Sequence, residues 1–96
     1  MKEDSIKNFR TAFKQFLKEE NLEHTFKQKQ LINRWEDLMG KTIASRTTKL
    51  FFKDKTLFIK LSSAPLKQEM LHSRDKILAL IQENMGSAEV NDVKIL

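Results

Sequence analysis

The feature that most constrains this fold is the run from Arg46 to Ser62. Apolar and polar residues alternate there with period two on both sides of a polar break at Asp54 and Lys55. That pattern predicts a β-hairpin. With Asp54 and Lys55 at the turn, Phe52 falls opposite Leu57, Phe51 opposite Phe58, Leu50 opposite Ile59 and Lys49 opposite Lys60. One face then gathers Leu50, Phe52, Leu57, Ile59 and Leu61, an apolar surface that helices must cover. The other face pairs Phe51 with Phe58 across the strands and sets Lys49, Lys53 and Lys60 around them.

The flanking segments supply helices. From Asp4 or Ser5, the residues Ile6, Phe9, Phe13, Phe16 and Leu17 recur at spacings of three and four, so an amphipathic helix is expected as far as Asn21. Its phenylalanine stripe is expected in the core. Thr25 and Gln28 form a capping box that opens a second helix, with Leu31, Ile32, Trp35, Leu38 and Met39 directed inward. Gly40 is expected to stop it in a left-handed conformation. Gly40-Lys41-Thr42 has the tail of a phosphate-binding loop, but Trp35 stands where that motif needs its first glycine, and the motif is rejected.

Residues 41–45 read as a bridge into the hairpin. After it, Ser62 to Pro65 caps a third helix running to about Met85, with Met70, Leu71, Ile77, Leu78, Ile81 and Met85 along one side and Gly86 closing it. Val93 and Ile95 alternate with polar neighbours in a short last strand. A right-handed crossover places that strand parallel to the second hairpin strand. The expectation is one α+β domain over residues 1–96, in the order α-α-β-β-α-β, with a three-stranded sheet and helices packed on one face.

At 96 residues the chain can bury one small core. It has no cysteine, so disulfides, thiolate metal sites and cysteine nucleophiles are excluded. No apolar run approaches the roughly 18 residues that a membrane helix needs, and no signal peptide is read at the start. A cytoplasmic protein without membrane contact is expected.

Catalytic patterns are missing as well. His24 falls in an inter-helix loop and His72 on the polar side of the third helix, each read as a solvated surface residue. Glu69 beside His72 makes only a pair of possible ligands, where a metal site needs three. No enzyme activity, metal or cofactor is expected.

The net charge of +5 is unevenly placed. Residues 41–60 carry six cations, Lys41, Arg46, Lys49, Lys53, Lys55 and Lys60, against the single acid Asp54, whereas residues 61–96 carry four cations and five acids. A basic sheet region fits a polyanion. Together with Phe51 and Phe58, which offer rings for bases to stack on, those six cations form the candidate nucleic-acid surface. Two accounts compete with it: edge lysines keep a small sheet from aggregating, and the first helix could bury the phenylalanine pair.

Several motifs together resemble one family. These are Trp35-x-x-x-x-Gly40, Ile43-Ala44, Arg46-Thr47-Thr48, the hairpin with Lys53-Asp54-Lys55-Thr56-Leu57 at its turn, and Ser63-x-x-Leu66-x-x-Glu69-Met70. They are similar to the DciA-like proteins of bacteria over residues 31–96, with residues 1–30 as an N-terminal helix and loop. Lys55 replaces the family's turn glycine and Met70 a leucine. The resemblance implies a KH-like core, affinity for single-stranded or duplex DNA (RNA being the other nucleic-acid candidate), and a role in loading the replicative DNA helicase. The Gly-x-x-Gly loop by which KH domains clamp a nucleic-acid backbone is missing here.

A helicase partner requires a protein-binding surface. The candidate combines Lys67, His72, Arg74 and Lys76 on the third helix with Lys7, Arg10, Lys14 and Lys18 on the first. The alternative function is a small protein-interaction or homo-oligomerisation domain that does not touch nucleic acid.

Overall fold

The computed structural model describes residues 2–96, with side chains from Ile6 onward. Its elements are α1 (Lys2–Glu19), α2 (Glu23–Asn33), α3 (Trp35–Met39), α4 (Lys41–Arg46), β1 (Thr47–Lys53), β2 (Thr56–Leu61), α5 (Ala64–His72), α6 (Arg74–Met85) and β3 (Asp92–Ile95). The class is α+β, as expected. The three-stranded sheet has the order β1-β2-β3, with β1 antiparallel to β2 and β2 parallel to β3. The hairpin register is the one the alternation predicts: Phe52 faces Leu57, Phe51 faces Phe58, Leu50 faces Ile59 and Lys49 faces Lys60.

The period-two pattern works because a one-residue slip would turn Leu57 and Ile59 to solvent. Both are fully buried, with Val93 beside them on β3. Ile77, Ile81 and Met85 of α6, Met70 of α5, and Leu31 and Trp35 on α2 and α3 close over this sheet face. Trp35 keeps its polar edge satisfied inside the core. Its Nε1–H donates to Thr47 Oγ1 at 3.0 Å, and that hydroxyl donates to the Ile43 carbonyl at 2.7 Å.

The helices differ from the expected set in four ways. Two helices are each broken at one residue, Arg34 and Ser73, with φ −103° at both and ψ 15° and 16°. At both breaks the backbone N–H points back to carbonyls of the preceding turn, so the chain bends without losing its hydrogen bonds. The bridge at 41–45 is itself the helix α4, which brings Ile43 and Ala44 against the core. The capping box does not form: α2 begins at Glu23, upstream of Thr25, and Leu22 at its N-cap makes no side-chain cap bond. Ser63 does cap α5, its Oγ accepting from the Leu66 N–H at 3.3 Å.

The largest correction concerns α1. Leu17 is buried and Phe13 packs edge-on against Phe26 at 5.3 Å, but Ile6, Phe9 and Phe16 are 53%, 67% and 49% exposed. α2, α4, α5 and α6 already occupy the inner sheet face, so α1 packs along α2. Most of its phenylalanine stripe therefore lies outside the core.

Candidate nucleic-acid interface

The outer face of the sheet follows from the same register. Phe51 and Phe58 stack with ring centroids 5.0 Å apart and planes 4° from parallel. Lys94 stands opposite Phe58 on β3, its Nζ 5.9 Å from that ring's centroid. A row thus crosses all three strands: Phe51, Phe58, Lys94. Phe51, on the edge strand, is 40% exposed, whereas Phe58 between its two neighbours is half-buried.

Lysines flank this row on both sides. Lys49 and Lys60 sit directly opposite each other toward one end, and Lys53 lies opposite Thr56 toward the other. All three are exposed, as is Lys94. Like charges facing across a strand pair weaken the sheet. The same pairing concentrates positive potential where a polyanion would meet it. The acid on this face is Asp92, and its charge is met by the Arg74 guanidinium from α6.

Of the remaining sequence-predicted cations, Lys55 is exposed in the hairpin turn, Lys41 starts α4 and Arg46 ends it. Lys55 follows Lys53 into the turn and Arg46 directly precedes β1, whereas Lys41 starts a helix packed on the inner side of the sheet. Lys94 was missed by sequence reasoning, although a parallel last strand in this register puts it next to Phe58.

The proposed partner-side residues divide. Lys76 and His72 are exposed and Lys67 is half-buried. Arg74 is committed internally: its Nε–H donates to the Val93 carbonyl at 2.8 Å and its terminal nitrogen to Asp92, pinning β3 to α6. His24 is not the solvated loop residue that the sequence suggests. It lies in the first turn of α2, with Nδ1 on Glu89 and Nε2 2.7 Å from the Gln28 amide. The hydrogen bond from His24 holds the Glu89 carboxyl below the ordinary carboxylate range, with Lys27 adding attraction and partial burial opposing.

Among the described residues, no cluster of three or more His, Asp or Glu side chains could hold a metal ion, and no helix is long and apolar enough to cross a membrane. No curated protein and no solved structure matches this chain. One family description does match, "Dna[CI] antecedent, DciA", over residues 8–95. That span reaches back beyond the hairpin and its flanking motifs into α1. From the middle of α1 to the end of β3, the chain belongs to the DciA family, a family with a helicase-loader role and no known enzyme activity.

Proposed function

We propose that this protein serves helicase loading as a DNA-holding adaptor, with the outer sheet face binding single-stranded DNA and the exposed sides of α5 and α6 contacting the replicative helicase. The observation that carries the DNA reading is the uncovered Phe51–Phe58 stack ringed by Lys49, Lys53, Lys60 and Lys94. The mutual stack uses one face of the Phe51 ring and leaves the exposed edge-strand side for a base. Such stacking contributes about 1–3 kcal/mol per base. Lysines on both sides of the row then follow the phosphates without reading sequence. The KH-like description of the core, without a Gly-x-x-Gly loop, rests on the family resemblance alone.

Lys67, His72 and Lys76 form the helicase-facing part of this reading, because Arg74 is held by Asp92 and Val93. The exposed phenylalanines of α1 favour a second reading, a protein-interaction module. A fluorescence-anisotropy titration with labelled single-stranded and duplex oligonucleotides at several salt concentrations separates the two. Phe51→Ala is expected to weaken single strands more than duplex, and Lys49→Ala with Lys60→Ala to weaken both. No binding at low salt would remove the DNA reading and leave the interaction module.

A further inference from the structure

α1 and α2 enclose a groove of about 450 Å³ on the side of α1 away from Phe9 and Phe16. Its apolar lining comes from Leu17 and Phe26, and Lys14, Lys18 and Lys27 stand around it with Glu23 as its one acid. Lys27 is drawn toward Glu89 at 3.5 Å, while among the described residues Lys14 and Lys18 have no salt-bridge partner. From Ile6 to Lys18 the helix carries Lys7, Arg10, Lys14 and Lys18 and no acid. At 100° per residue those four cations share one flank, the flank that borders the groove.

We infer that this groove is a docking site for an acidic peptide segment of a partner protein, with an apolar side chain seated on Leu17 and Phe26 and carboxylates meeting Lys14 and Lys18. Charge complementarity selects this occupant. A second copy of the chain laid along α1 would bring two rows of cations together. A single-stranded nucleic acid would need stacking faces along its length, whereas the groove's lining holds one ring, Phe26, already met by Phe13 at 5.3 Å. The site lies on elements apart from the outer sheet face, so it stands or falls independently of DNA binding there.

The test uses the full chain and a fluorescein-labelled synthetic peptide in which Leu and Phe alternate with Asp and Glu, against a control with the same apolar residues and Lys in place of the acids. The acidic peptide is expected to bind, to perturb backbone amide signals within residues 11–18 and 23–30, and to lose roughly tenfold or more in affinity in the exposed double variant Lys14→Glu with Lys18→Glu. An oligothymidine competitor should not displace it. Any of four results would overturn the inference: no binding at low salt, equal binding of the Lys control, amide changes centred on β1 and β2, or displacement by oligothymidine. Self-association by light scattering that vanishes in the same double variant would assign the groove to a second copy, and sedimentation with anionic vesicles lost in that variant would assign it to a lipid surface; either also overturns the peptide assignment.

Discussion

Glu89 shows how much one side chain can tie together. It sits in the loop between α6 and β3, and His24 and Lys27 from α2 both reach it. Gln28 joins the same set by touching His24 and donating to the Asp54 carbonyl at 3.1 Å, so α2, the hairpin turn and the loop before β3 meet at one point. Because its folded pKa lies below the ordinary value of about 4.5, the carboxylate contributes stability that is fully present above that value. This contribution is lost as the pH falls through the lower folded pKa. Glu89→Gln should therefore flatten the acid limb of stability against pH. Urea midpoints measured at closely spaced pH values test this, and an identical acid limb in the variant would show that the clasp adds nothing.

At the scale of elements, Gly40 carries the junction between α3 and α4. Its φ of 88° and ψ of 163° fall in a region that is essentially glycine-only, and not in the left-handed helical region expected of a simple helix stop. A Cβ added there would meet nothing within 4 Å, so Gly40→Ala isolates backbone strain from steric clash. A loss on the order of 1–3 kcal/mol is expected by chemical denaturation. A variant as stable as the parent would mean that the junction relaxes to another conformation. The same junction shows what the sequence conveys and what it withholds. Gly40 marks a boundary, and the alternation of residues 46–62 sets a register that a single-residue slip would ruin. α4 has only six residues, too few to display a helical period, and so reads as a bridge. The break at Ser73 has no glycine or proline, and its one trace is the polar gap from His72 to Lys76 between Leu71 and Ile77. The phenylalanine stripe of α1 misleads because periodicity reports an apolar face without saying what covers it. The aromatic row was legible through Phe51 and Phe58, whereas the His24–Glu89 contact joins residues 65 positions apart with no shared motif.

Over the whole molecule, the one-sided packing of helices separates the two proposed surfaces. The aromatic row and its lysines lie on the outer face of the sheet, whereas α5 and α6 pack against the inner face and carry Lys67, His72 and Lys76. On the proposed assignment neither ligand has to displace the other, so a loader built this way would hold a strand and a helicase at once. The coupling between the sites should accordingly be close to zero. Saturating the protein with oligothymidine is expected to leave its affinity for the host's replicative helicase within about twofold, well under the roughly 5-fold that marks allosteric coupling. Charge removal should separate just as cleanly. Lys49→Ala with Lys60→Ala should reduce the salt slope of single-strand binding by about 0.7 for each phosphate that a lysine no longer neutralises, and leave helicase binding intact. Lys67→Ala with Lys76→Ala should weaken the helicase complex and leave the DNA slope unchanged. If either pair changes both affinities together, the two ligands share a surface, and the division of labour between the sheet and the helices is wrong.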